Sequence, residues 1–330
     1  MDPLTQGTVG ANFANLKSDS KNLKWATLVG FLAGLAPDLD SLIRSNEDTL
    51  LYLEYHRQFS HSLIFIPIGS FFVSLLLHYV GLKKKISFKE NYIFSFLGYA
   101  THGLIDSCTS YGTQIFWPFS NYRVAWNTVS IIDPLYTLPL LILLGISLKT
   151  QKRIWVIGGV CYAFAYMGLG LIQQKRAEKK VKELAWERGH REIEVSAKPS
   201  FGNLVVWKTV YEYDSNYYID AIKFGLSHKF YPGESIKKFS YQRDLPWIKL
   251  DSRSAQDIER FRWFSRDYLA VHPERENVII DVRYSMIPNR IDPLWGIVID
   301  EKKQSEHARY KMFERNARQQ GKQLWKMIID

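Results

Sequence analysis

Residues 99–133, YATHGLIDSCTSYGTQIFWPFSNYRVAWNTVSIID, begin inside an apolar segment that nevertheless carries His102 and Asp106, and end with Asp133 at the mouth of another. His102 and Asp106 are four positions apart, so a helix projects both from one face, one turn apart. An imidazole and a carboxylate so placed can hold one metal ion or serve one substrate as base and acid. A simple hydrogen bond between the two is the plainer alternative. In lipid such groups are expensive unless paired, which makes them functional candidates. Whether the surrounding apolar segments cross a membrane therefore decides the fold.

Working outward, the apolar segments read as spans. The mean hydropathy of the 330 residues looks like that of a soluble protein, but the average conceals a division. Up to about residue 173 the chain is a series of apolar runs; beyond it, charges are dense and no long apolar run remains. The expected architecture is an all-α transmembrane bundle over residues 1–173, with a short N-terminal helix and about four or five spans. A soluble α+β domain with an antiparallel sheet, carrying helices at its N- and C-terminal ends, follows over residues 174–330.

Leu4–Leu16 suggests a helix too short to cross a bilayer alone, and Trp25–Pro37 a second short, glycine-rich one ending in Asp38-Leu39-Asp40. Leu63–Leu82 is a full-length span, Tyr92–Ser107 returns, Asp133 to about Leu148 crosses again, and Ile154–Ile172 is the last. No basic n-region precedes the first apolar run, so no cleavable leader is read there. In the soluble half, Leu204–Tyr213 and Tyr217–Leu226 predict a hairpin about Asp214-Ser215-Asn216. Ala255–Tyr268 predicts a helix with Ser254 as cap, Val278–Tyr284 and Leu294–Asp300 two strands, and 303–328 a helical tail.

The net charge of +10 falls mostly on the second half, where Lys and Arg are interleaved with Asp and Glu. That is an ordinary solvated surface with some attraction to anionic headgroups, and no nucleic-acid motif accompanies it, so no nucleic-acid partner is expected. The two cysteines, Cys108 and Cys161, supply neither a disulfide framework nor a zinc ribbon and read as small core residues.

Short basic loops set the orientation. Lys83–Lys89, Lys149–Arg153 and Lys17–Lys24 are expected on the cytoplasmic side. Every polar motif then falls on the other side: Asp38 and Asp40 after the first span, His56 and His61 before the second, His102 and Asp106 late in the third, Asp133 opening the fourth. The same count carries the C-terminal domain outside, against the basic run Lys175–Lys182.

Neutral imidazoles and carboxylates are the ligand set of zinc, and also of manganese or iron. Asp38, Asp40, His56, His61, His102 and Asp106 are the candidate metal ligands, enough for two ions. Each has a bland counterpart. Asp38 and Asp40 can cap a helix; His56 and His61, five apart and so in need of a bend or a loop to meet, can each be an interfacial histidine; Asp133 before Pro134 suits a helix start.

The segments DPLTQ (2–6), PDLD (37–40), HRQFSHS (56–62), HGLIDSCTSYGTQIFWPFS (102–120) and SIIDPLYTLPL (130–140) together resemble the membrane-bound metal-dependent hydrolase family of the YdjM type, in order and spacing over about residues 1–175. The H-x-x-x-D element is also similar to that of the zinc phospholipase C and nuclease group. The resemblance implies a multi-pass protein of the bacterial inner (cytoplasmic) membrane, with His102 and Asp106 as ligands and Asp38, Asp40, His56 and His61 as their companions. Many relatives have His where this chain has Gln6. Glutamine is a poor zinc ligand, so Gln6, with Asp2, is placed behind the ligands or on substrate.

Three functions compete. The leading expectation is hydrolysis of a phosphoester or related bond in a lipid or lipid-linked substrate by a metal-bound hydroxide, with Asp133 in the reaction, Arg57 or Arg123 on an anionic group, and the aromatic loop 116–126 guiding acyl chains. Headgroup contact is the plain alternative for both arginines. The second is a non-enzymatic membrane protein with a structural metal and a soluble domain that binds an unidentified protein. The third, an ion or proton transporter, is disfavoured because the polar residues gather at one end.

Overall fold

The computed structural model describes residues 1–225 and 227–330. It divides into two compact units: residues 1–42, 55–172 and 201–203 form the first, and residues 43–54, 173–200 and 204–330 the second.

The first unit is helical. Its helices are α1 (Pro3–Asn15), α2 (Leu23–Leu35), α3 (Leu51–Tyr55, reaching into this unit only at its last residue), α4 (Ile66–Val80), α5 (Phe88–Cys108), α6 (Pro134–Thr150) and the first part of α7 (Arg153–Glu187). Short 3-10 turns cover Ala36–Leu42, Phe59–His61 and Leu63–Phe65. Local chemistry sets the helix starts. Asp2 caps α1 by accepting from Thr5 N, with Pro3 pre-set in the first turn. Ser87 and Glu90 form a reciprocal capping box on α5. Asp133 caps α6 ahead of Pro134.

Beside an apolar cluster of Val29, Leu82, Ile86 and Phe94, this unit buries many small and polar residues. α1 lies against α2, α5 and α6, and apart from Val9 what it buries is small or polar: Thr5, Gln6, Gly7, Thr8, Gly10, Ala11, Asn12, Ala14 and Asn15. Large apolar side chains point outward instead, among them Phe72, Leu76 and Val80 of α4, Leu138 and Ile142 of α6, and Ile154, Phe164 and Ile172 of α7. Without water outside, helices gain by close approach and internal hydrogen bonding, so small and polar residues line the contacts. Gly30 is such a contact, since a Cβ there would collide with Ala14 of α1. Among the described residues, two helical stretches are long and apolar enough to cross a membrane, Leu63–Val80 and the helix Arg153–Glu187; Pro134–Thr150 is apolar but shorter. Cys108 is buried, whereas Cys161 lies exposed on α7, which corrects the expectation that both are core residues.

The second unit holds two antiparallel four-stranded sheets, where the sequence suggested one. The first is β1 (Val195–Pro199), β2 (Val206–Tyr213), β3 (Asn216–Phe224) and β4 (His228–Lys237), in that order. The second, also in chain order, is β5 (Leu269–His272), β6 (Arg275–Asp281), β7 (Trp295–Val298) and β8 (Arg309–Met312). The expected hairpin is β2–β3, closed by Asp214 and Ser215, both at positive φ as a two-residue hairpin turn requires. The predicted end of its second arm, Leu226, lies outside the described residues. Val210, Tyr217 and Ile219 of the first sheet pack on Ala270, Val278 and Ile280 of the second.

Helices α8 (Tyr241–Asp244) and α9 (Arg253–Ser265) connect the sheets, with Ser252 rather than Ser254 capping α9. The predicted helical tail is in fact β8 followed by α10 (Ala317–Ile329), whose Leu324 and Met327 pack on Val206 and Ala221. The charged second half of α7 buries Val181 and Ala185 against Tyr211.

Candidate metal centre

His102 and Asp106 lie near the C-terminal end of α5, both fully buried. The 3-10 turn after α2 supplies Asp38 and Asp40. The bend that His56 and His61 required is real. α3 ends at Tyr55, Arg57 adopts a left-handed conformation (φ 68°), and the turn Phe59–His61 follows. Such a backbone in a bulky residue persists only when its surroundings hold it. Here Arg57 N donates to Asp40 Oδ2 (3.0 Å) and Arg57 O accepts from Gln114 N (2.9 Å). The turn can approach α5 because position 103 is glycine; a Cβ there would collide with the His61 carbonyl oxygen.

Four side chains converge on one point. His61 Nε2 lies 3.5 Å from Asp38 Oδ1 and 3.4 Å from Asp106 Oδ2, and His102 Nε2 lies 3.3 and 3.8 Å from the same two oxygens. Ligands about 2.1 Å from a tetrahedral centre are about 3.4 Å from one another, so these spacings are those of a small cage. His61 Nε2, His102 Nε2 and Asp106 Oδ2 are buried and have no hydrogen-bond partner. Buried polar atoms are rarely left so, and three facing one point fit a cation.

The far sides of these ligands are tied down. His102 Nδ1 meets the Gly34 carbonyl at 2.6 Å, which makes Nδ1 the donor and leaves the Nε2 lone pair facing the cage. His61 Nδ1 stands 3.1 Å from Asp40 Oδ2. Asp40 also accepts from Ser60 Oγ (2.6 Å) and faces His56 Nδ1 (2.8 Å), so its oxygens are occupied in holding the turn. A second grouping, Asp38, Asp40 and His56, shares Asp38 with the first. Asp106 Oδ1 accepts from Gln6 Nε2 (2.7 Å) and from the Met1 α-amino group. Arg57 Nε stands 2.9 Å from Asp106 Oδ2 without hydrogen-bond alignment, and its Nη1 donates to Thr109 Oγ1 at 3.0 Å.

Burial opposes the charge on Asp38 and Asp40, yet the facing imidazoles outweigh it and hold both carboxyls well below their ordinary range. Burial likewise opposes a charge on His61, but Asp106, Asp38 and Asp40 outweigh it and raise its pKa to about 10. The three carboxylates thus favour positive charge at that nitrogen, and a metal ion binding there would displace the proton. For His56 burial prevails over Asp40 and lowers the pKa.

Of the other sequence candidates, Arg123 is buried nearby, with its Nη2 donating to Gly112 O at 2.9 Å. Tyr111 joins the two arginines: its ring centre lies 4.9 Å from the Arg57 guanidinium and 5.5 Å from that of Arg123, and 6.0 Å from the His56 ring. Two residues are engaged in helix caps. Asp133 accepts from Leu135 N, Tyr136 N and the Tyr166 hydroxyl, which employs the carboxylate in capping α6. Asp2 is likewise engaged by Thr5 N and Oγ1. Sequence reasoning missed Tyr111, Ser60 and the Gly34 carbonyl. Ser60 was readable within HRQFSHS, whereas a backbone carbonyl leaves no sequence signal.

An outward-facing apolar surface over an interior rich in small and polar residues, with a buried histidine–carboxylate cage, defines a helical membrane protein with a candidate metal centre. Residues 1–177 match the model of the YdjM inner membrane protein family, and the chain belongs to that family. It is therefore an inner membrane protein, as the resemblance implied. It is also similar to the uncharacterized protein YfhP of Bacillus subtilis (strain 168), 27% identical over 179 residues, which are 51% of this chain and 50% of that one. The chain thus spans about half the length of that curated relative. No solved structure matches.

Proposed function

We propose that the chain is an integral-membrane, metal-dependent hydrolase acting on a phosphoester or related bond of a lipid or lipid-linked substrate. The observation that carries this is the buried cage of His61, His102, Asp38 and Asp106 with partnerless atoms turned inward. Zinc suits two imidazoles and two carboxylates at this spacing. A divalent ion there supplies Lewis acidity and lowers the pKa of water.

The chain's own residues do the rest. Asp40, Ser60 and the Gly34 carbonyl fix the imidazoles, and Gln6 fixes Asp106. Arg57 and Arg123, both against Tyr111, provide fixed positive charge for an anionic group. Asp38 is the one ligand with an open side, its side chain keeping 27% exposure, so substrate enters past it. In support of a lipid substrate, the loop after α5 exposes Phe116, Phe119, Tyr122 and Trp126, residues suited to a headgroup interface. The charge of the basic loops supports a site on the extracytoplasmic side, in a bundle of four or five spans whose shorter helices cross with help from their neighbours.

The competing reading is a structural metal, favoured by one observation: four protein donors can close a tetrahedron. Metal analysis and a lipid-phosphate hydrolysis screen of purified protein separate the two. Wild type is expected to carry zinc and hydrolyse, with His102→Ala and Asp106→Asn losing both. Full metal occupancy in the variants would overturn the ligand assignment, and metal without hydrolysis on any lipid phosphate would leave the structural reading.

A further inference from the structure

Residues 43–54 join the Asp38/Asp40 turn to the His56–His61 turn, yet they belong to the second unit, while residues 42 and 55 on either side belong to the first. One side chain is central to this attachment. Arg260 of α9 donates Nη1 to Asp48 Oδ1 (3.0 Å), Nη2 to Asp48 Oδ2 (2.8 Å) and Nε to Glu54 Oε1 (2.5 Å). It is also paired with Asp257 Oδ1 at 2.7 Å. Asp257 in turn accepts from Ala308 N (2.8 Å) and faces His307 Nδ1 (3.0 Å). Thr49 completes the attachment, accepting from Tyr310 N (2.8 Å) and donating to Ala308 O (3.2 Å). A bidentate, part-buried arginine binding three carboxylates is a specific fastening and not a loose surface pair.

Glu54 is two residues before His56 and three before Arg57, the residue held in a left-handed conformation. Asp48 lies between Asp40 and that bend. A strained backbone whose two flanks are tied needs its connecting segment fixed.

We propose that Arg260 is a positioning residue: through Asp48 and Glu54 the C-terminal domain fixes segment 43–54 and thereby sets the geometry of the His56–His61 turn that presents His61 to the cage. This rests on the metal reading above and assigns the C-terminal domain a role in it. The segment is covalently continuous with ligand-bearing turns at both ends, so loosening it frees His61 and Asp40 without touching either.

The test uses full-length protein in detergent with cobalt(II) as the metal, comparing wild type, Arg260→Met and the double variant Asp48→Asn/Glu54→Gln. Limited proteolysis within 43–54 reports whether the segment is released, and the cobalt absorption spectrum reports ligand geometry. Both variants are expected to be cut faster, to bind cobalt about tenfold more weakly, and to show an altered spectrum, as for losses behind metal ligands. A released segment with unchanged affinity and spectrum overturns the coupling; an unreleased segment in both variants overturns the fastening. No cobalt on wild type overturns the metal reading itself, which distinguishes the two failures. Should Arg260→Met fail to fold, the double variant, which leaves the Arg260–Asp257 pair intact, decides between these outcomes.

Discussion

His102 and Asp106 are one turn apart on α5, yet each is defined by groups far away in sequence. Gly34 O orients one and Gln6 the other, and the ring of His61 comes from a turn that only Gly103 admits. The same dependence on remote partners governs a buried lysine in the C-terminal domain. Lys208 on β2 is almost fully buried and donates to Ser285 Oγ and Arg290 O. Burial lowers its pKa to about 7, and Lys198, its cross-strand neighbour, is lowered as well. The unfolded chain therefore binds more protons than the native one between about pH 7 and the ordinary lysine value, so stability rises with pH across that window. Urea unfolding of the full chain is expected to gain up to about 1.4 kcal/mol per pH unit for each such lysine, and Lys208→Met to flatten the slope. A slope unchanged in that variant would remove Lys208 as its source.

Helix ends show which sequence signals carry through to structure. Asp133-Pro134 was legible as a helix start, and Asp133 accepts the bonds of a cap. Asp133→Ala is expected to destabilise the unit by about 1 kcal/mol, up to ~2, while leaving metal content at wild-type level; loss of metal would return Asp133 to the centre. The helix around residue 102, the hairpin at Asp214-Ser215 and α9 were legible because each has its own period or turn chemistry. Strands β1, β4, β5 and β8 were not. β4 is largely exposed and charged, and β5 and β8 have four residues each, too few for alternation to register. Asp38, His61, His102 and Asp106 were readable as residue types in suggestive places, but that these four side chains converge is set by how the turns fold back on α5, which no spacing encodes.

Across the molecule, the average hydropathy hid two different solvents. The helical unit hides Thr8, Asn12 and Asn15 and shows Phe72, Leu76 and Phe164, whereas the sheets bury Trp207, Tyr211 and Ile222 as a water-soluble domain does. Their chain ranges interlock, because residues 43–54 and 201–203 each join the unit they do not border in sequence. The two cysteines sample this division. Cys108 is enclosed, and Cys161 faces outward on the apolar stretch of α7. A nitroxide maleimide that partitions into oil should therefore attach to one thiol and spare the other, with no engineered handle. Its relaxation by dissolved oxygen against an aqueous nickel chelate then measures immersion depth directly, and equal accessibility to the chelate and to oxygen would show that helix standing in water.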